Sequence, residues 1–270
     1  MSRRAIPQIG LPETAKPELA VFLPREHGSW ALVLEPMVLA LLAAPSLRGS
    51  ALALAAMALF LMRRPWHCWR SGQDAERARV ARRLVGAAAL VALIAATWAL
   101  AGQLRATAVP LAIAAVAASV FAWLEARRQT RSLIAECAGA LAFCALASAA
   151  VLADPDRAGD VWLAGAVGGF AAARALTTLL PIRAYLRRRK GREASGLPAM
   201  LIALLAMLVA AWFAVARGGN WLPWVWTGVF AARSAWLVGP WAPAWPARRI
   251  GFLELGLGLA AVVSTGLALS

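Results

Sequence analysis

Acidic residues, histidine and cysteine are all scarce in this chain. Its 270 residues include only 13 aspartates and glutamates, two histidines and three cysteines. Charged side chains make up 15% of the sequence and apolar ones 61%. Soluble domains are usually about 25% charged and about 45–50% apolar. The shortfall excludes a soluble globular protein and a disordered basic tail. His27 and His67 have no regular spacing, so neither metal nor haem ligation is expected. The cysteines form no CxxC pair. Cys137 and Cys144 are seven apart on one helix, about 10 Å along its axis, too far for a disulfide. Walker A, HExxH and GxSxG motifs are missing, so no catalytic residue can be named and no cofactor is expected. The start lacks the basic-then-apolar pattern of a cleavable signal peptide. No long linker, low-complexity tract or clear repeat interrupts the chain.

What the chain has instead is a series of apolar runs. Nine are read, roughly 28–47, 49–62, 84–103, 106–124, 132–152, 161–182, 197–216, 220–239 and 249–269. Each is near the length at which a helix crosses hydrocarbon with its backbone bonds satisfied internally. The second is short and ends before Arg63. The fold class expected is all-α, a polytopic membrane bundle of about nine transmembrane helices. Residues 1–27 form a cytoplasmic N-terminal segment, and 28–270 a single transmembrane domain.

The net charge of +15 is explained by where the basic residues fall. Arg3, Arg4, Lys16 and Arg25 precede the first run. Arg63 to Arg83 follow the second, Arg127 to Arg131 the fourth, and Arg183 to Arg192 the sixth. Arg233, Arg248 and Arg249 flank the connection after the eighth. The alternate connections hold only Arg48, Arg105, Arg157 and Arg217. The positive-inside rule then places the N-terminus in the cytoplasm and the C-terminus outside. Arginines distributed in this way meet anionic lipid headgroups. They do not form the single basic face that nucleic-acid binding requires. Membrane lipids are therefore expected partners, and nucleic acid is not.

Ionisable groups inside apolar runs are expensive, about 2.5–3.5 kcal/mol each on insertion scales. Glu35, Glu136, Arg174, Arg233 and Glu254 are such groups, all in the cytoplasmic halves of their runs. Two readings fit them: pairs that hold helices together, or the lining of a cytoplasm-facing cavity. Arg174, Thr177, Thr178 and Pro181 share one helix face. Pro181 has no N–H for the carbonyl of Thr177, which is left free for a ligand or water. Gly251, Glu254 and Gly258 share another face. Pro36 directly follows Glu35, so a kink beside the carboxylate is expected. Snorkelling accounts for Arg183 and Arg248.

The most distinctive stretch is Pro24-Arg25-Glu26-His27-Gly28-Ser29-Trp30, followed by Glu35-Pro36. A helix start offers unpaired N–H groups to an anion, and His27 could relay a proton. This stretch resembles the opening signature of the YwiC-like family of bacterial integral membrane proteins, with Ser29 where Ala is usual. The stretch from Arg174 to Glu193 is similar to a basic region late in that family, with Arg183 and Arg192 as counterparts. The stretch from Arg249 to Glu254 resembles its last helix start. The resemblance implies a bacterial inner-membrane protein and names no activity. A more distant likeness is to UbiA-type prenyltransferases, which implies nine helices and a cytoplasm-facing cavity. Their aspartate-rich motifs have no counterpart here. The connection after the second run offers only Asp74 and Glu76, and that after the sixth only Glu193.

These features together lead us to expect a membrane protein that binds a lipid-like or anionic small molecule, an isoprenoid among the options. Its candidate pocket residues are Glu26, His27, Glu35, Glu136, Arg174, Thr177, Thr178, Arg183, Arg233 and Glu254. A UbiA-like prenyltransferase and a small-solute transporter are the alternatives.

Overall fold

The computed structural model describes residues 22, 27–72, 74–191, 196–216, 221–240, 242 and 244–270, without the side chains of 27–29, 214 and 247. Among these residues the regular structure is entirely helical. The helices are α1 (His27–Ala43), α2 (Leu47–Ser71), α3 (Ala75–Leu100), α4 (Leu104–Ala126), α5 (Leu133–Leu152), α6 (Val161–Arg189), α7 (Leu197–Val215), α8 (Leu222–Val238) and α9 (Ala247–Leu269). One 3-10 turn, Pro155–Arg157, stands between α5 and α6.

Local chemistry sets several of the helix starts. Side-chain oxygens of Ser46, Asp74, Ser132 and Asp160 accept hydrogen bonds from N–H groups in the first turns of α2, α3, α5 and α6. Each caps donors that have no partner within the helix. Gly72, at φ +60°, ends α2 in the left-handed conformation that glycine adopts without steric cost.

Helices α1, α5 and α6 form the centre. α5 packs on α1, α2, α4 and α6, and α1 also packs on α6 and α9. α2 and α3 form a hairpin on one side, and α7 and α8 follow α6 on the other. The α5 sequence explains its place: alanines on most sides let neighbours approach closely, and Ala147, Ala149 and Val151 have no exposed surface. At Gly168 of α6 a Cβ would stand 3.2 Å from the carbonyl oxygen of Cys144. The bare backbone there lets α5 and α6 meet. Ser148 of α5 donates to the carbonyl of Ala164 of α6 at 2.8 Å.

The outside of this bundle is apolar. Leu93 and Ile94 of α3, Val109 and Val116 of α4, and Leu205 and Trp212 of α7 are all exposed. Large apolar side chains exposed on this many helices belong against lipid or protein, not water. Among the described residues five helices, α3, α4, α5, α6 and α9, are long and apolar enough to cross a membrane, and apolar segments in α1 and α7 are shorter. The chain is a helical membrane protein.

Helices α2 and α6 run further than their apolar stretches. α2 continues through Arg63, Arg64 and Pro65 to Ser71, and α6 continues through Pro181 and Arg183 to Arg189. Hydrophobicity marks the part of a helix that meets hydrocarbon. It does not mark where backbone hydrogen bonding stops. Arg63 is held by Glu125 of α4 at 2.7 Å and lies over the Phe121 ring at 4.6 Å. The Arg188 guanidinium donates to the carbonyl of Val238. The long basic connection expected over 63–83 is therefore mostly helix, with only residues 72–74 between α2 and α3.

Candidate functional site

Four ionisable side chains from four helices meet in the interior. Glu35 comes from α1, Arg174 from α6, Arg233 from α8 and Glu254 from α9. All four are buried, Arg174 most completely at 2% exposure. Glu254 is the shared partner. Its Oε2 accepts from the Arg233 guanidinium, lies 3.5 Å from Arg174 Nη1 and 3.3 Å from the Thr178 hydroxyl. Arg174 Nη2 also donates to the Glu254 main-chain oxygen at 2.9 Å. The Arg174 guanidinium stacks 4.7 Å above the Phe230 ring, where the ring's negative face favours a cation.

Proline shapes this centre as its chemistry dictates. The Thr177 carbonyl that Pro181 cannot serve does acquire a donor, and that donor is internal: Arg233 Nη1, at 2.6 Å. A carbonyl freed by proline thus anchors α8 to α6 instead of lying open to a ligand.

Glu35 is held much more loosely. Its only ion pair among the described residues is with Arg174 Nη2 at 3.5 Å, too long for a good hydrogen bond. Its Oε1 has no hydrogen-bond partner among the described residues. Gly258 of α9 makes room for it. A Cβ on Gly258 would collide with Glu35 Oε1 and stand 2.6 Å from Arg174 Nη2. Arg174 Nε, Arg233 Nε and Glu254 Oε1 also lack hydrogen-bond partners.

A groove of about 310 Å³ opens beside Glu35. Its walls are mainly α1 and α6, with Glu136 from α5 and Val262 from α9. Ala31, Leu32, Ala175, Leu179, Ile182 and Leu186 make it largely apolar. Its polar groups are Glu35, Arg174, Thr178, Glu136 and Arg183. Glu136 and Arg183 pair at 2.8 Å, each about 30% exposed. Arg183 also donates to the Arg131 carbonyl at 3.0 Å. Snorkelling alone therefore does not account for Arg183, because it has a specific carboxylate partner.

Five of the ten sequence-derived candidates line the groove: Glu35, Glu136, Arg174, Thr178 and Arg183. Thr177, Arg233 and Glu254 belong to the buried cluster and do not line it. Glu26 lies outside the described residues. His27 begins α1, and its side chain is outside the described set. Of the two readings of the charges, the ion pairs between helices are present. The cluster joins four helices, while Glu35 and Arg174 belong to the cluster and the groove alike. Sequence reasoning missed Phe230, whose aromatic face gives no sign of a cation above it. It also missed the Arg63–Glu125 pair, which His67 joins at 3.1 Å from Glu125. Glu125 lies close to the end of its apolar run, where a carboxylate looks ordinary.

Residues 23–151 match the family described as YwiC-like protein. This is the family that the Pro24–Trp30 motif resembles, and the matched stretch is YwiC-like from that motif to the last turn of α5. It includes Glu35 and Glu136, whereas Arg174, Arg233 and Glu254 come after it. No curated protein and no solved structure matches the chain.

Proposed function

We propose that this protein lies in a bacterial inner membrane, crosses it repeatedly with its N-terminus in the cytoplasm and its C-terminus outside, and binds a lipid-like or anionic small molecule in the groove beside Glu35. One observation carries the binding reading: a groove of about 310 Å³ has hydrocarbon walls and buried charged groups at its side. Ligand cavities are typically apolar with a few placed polar groups, and about 300–1,000 Å³ in volume. An amphiphile would lay its tail along Leu179, Ile182 and Leu186 and direct its polar end toward Glu35, Arg174 and Thr178. Charge favours the lipid-like option. Arg174 already faces Glu35 and Glu254, and Arg183 faces Glu136. Among the described residues the groove has no surplus cation for an anionic ligand. Basic residues on alternate connections support the orientation.

The test is mass spectrometry of small molecules that co-purify with the protein in mild detergent, compared with Glu35→Gln and Arg174→Ala at matched folding. A defined amphiphile present in the parent protein and lost in the variants is the expected result. Bulk phospholipid alone in all three samples would refute the binding reading.

A further inference from the structure

We propose that an anionic phospholipid docks on the outer face of α4 and α5, with an acyl chain in the groove between these helices and its phosphate at Arg127, Arg128 and Arg131. The groove there is apolar and about 680 Å³ in volume. Ile113, Val116 and Val120 of α4 and Leu133, Ile134 and Leu141 of α5 are among its walls. It shares no lining residue with the groove beside Glu35, so the two sites stand or fall separately. Helix geometry leads this groove to a basic end. Val116, Val120, Trp123 and Arg127 fall at i, i+4, i+7 and i+11, one face of α4 continued to its C-cap. Arg127 is about 10 Å beyond Val120 by helical rise. Its guanidinium stacks 4.0 Å from the ring of exposed Trp123, and such rings favour the membrane interface. Arg131 directly precedes Ser132, the N-cap of α5, two residues before Leu133.

Charge identifies what covers the groove. The two carboxylates nearest in the chain are already engaged, Glu125 with Arg63 and His67, and Glu136 with Arg183. Among the described residues no carboxylate pairs with Arg127, Arg128 or Arg131, and all three are exposed. An apolar groove that ends in three uncompensated cations fits a partner with a hydrocarbon chain and an anionic head. A second copy of this chain packed symmetrically on the same face would bring the same three arginines to the same depth. Arg128 adds an independent sign. The chain leaves α4 in a Schellman turn, with the Gln129 N–H donating to the Leu124 carbonyl at 2.8 Å and the Arg128 N–H to the Glu125 carbonyl at 2.9 Å. Arg128 stands at φ +59°, where glycine is usual because it meets no steric cost. An arginine at this position gives up backbone ease for a cation at the end of the groove.

Native mass spectrometry of the full chain in mild detergent tests this with phosphatidylglycerol and phosphatidylcholine of matched acyl chains. The anionic lipid is expected to bind about 10-fold or more tightly than the zwitterionic one. Arg128→Gly weakens phosphatidylglycerol about 5-fold, the worth of one arginine near an anionic headgroup, while thermal unfolding stays level or rises. Arg127→Gln combined with Arg131→Gln weakens it further. Ala112→Phe crowds the groove, leaves the arginines in place and weakens both lipids. Arg79→Gln, at an exposed arginine of α3, and Glu35→Gln change neither. Equal binding of the two lipids overturns the proposal, as does a loss with Arg79→Gln equal to that with Arg128→Gly. Binding that Arg128→Gly and the double variant leave unchanged also overturns it, and so does a stable dimer that excludes lipid and that Ala112→Phe breaks.

Discussion

Glu254→Gln removes the one carboxylate that two buried arginines share. Arg233 would retain the Thr177 carbonyl at 2.6 Å, and Arg174 the Glu254 main-chain oxygen at 2.9 Å. Of the carboxylates now around them, only Glu35 would remain, 3.5 Å from Arg174. One guanidinium would then be buried without a counter-charge, a situation that costs about 3–5 kcal/mol when a buried pair is broken. Glu35→Gln breaks a single long contact and leaves Arg174 paired with Glu254, so about 1 kcal/mol is expected, as for one ordinary hydrogen bond. Equilibrium unfolding in mixed micelles measures both. The predicted gap of at least about 2 kcal/mol is more than a tenfold difference in the folding constant. Adding Arg233→Met to Glu254→Gln removes the stranded charge and recovers stability, with a coupling of about 1–3 kcal/mol between the two sites. Equal costs for the two glutamate variants, or strict additivity in the double variant, would refute the reasoning.

Gly258→Ala forces a methyl group against Glu35 and Arg174 and is expected to cost about 1–3 kcal/mol as overpacking. Gly251→Ala, on the same helix with nothing within 4 Å of its Cβ position, leaves thermal unfolding unchanged or slightly raised. Arg183→Gln costs less than about 1 kcal/mol, because both members of its pair are about 30% exposed and solvent screens them. Thermal unfolding would contradict this if the loss matched that of Glu254→Gln. Reporter fusions check the orientation: fusion after Lys190 reads cytoplasmic and fusion after Ser270 reads external, and a cytoplasmic signal from the latter rejects the proposed topology.

The nine helices among the described residues were legible because each has its own apolar run, and run length is a local property. The ends of α2 and α6 were not, because arginines stop an apolar pattern without stopping a helix. Residues such as Arg63 and Arg188 find carboxylate, aromatic or carbonyl partners on neighbouring helices. The members of the charged cluster could be named from sequence, since Glu35, Arg174, Arg233 and Glu254 are conspicuous in apolar surroundings. Their pairing could not. Whether Arg174 meets Glu136 or Glu254 depends on how α5, α6 and α9 are rotated about their axes, and packing sets that rotation. The Thr177 carbonyl shows the same division. Pro181 announces that it is free, but only the position of α8 reveals Arg233 as the group that takes it.

Rotation is also where the cluster matters most for the fold. α1, α5 and α9 carry apolar residues on nearly every side, so hydrophobicity alone gives them little reason to present one face rather than another. Between helices in lipid, close packing and polar contacts decide. Arg174, Arg233 and Glu254 meet because α6, α8 and α9 turn these faces to one another, and Gly258 leaves room for the Glu35 carboxylate. The four charges are not held alike. Arg174, Arg233 and Glu254, tied to one another and to two main-chain carbonyls, fix three helices into a rigid frame. Glu35 meets that frame through one 3.5 Å contact, and its unpartnered Oε1 is enclosed beside Gly258. A group meant only to hold helices together would gain from a shorter contact and a second donor. Among the described residues Glu35 has neither, so it adds less to the frame than the other three charges do.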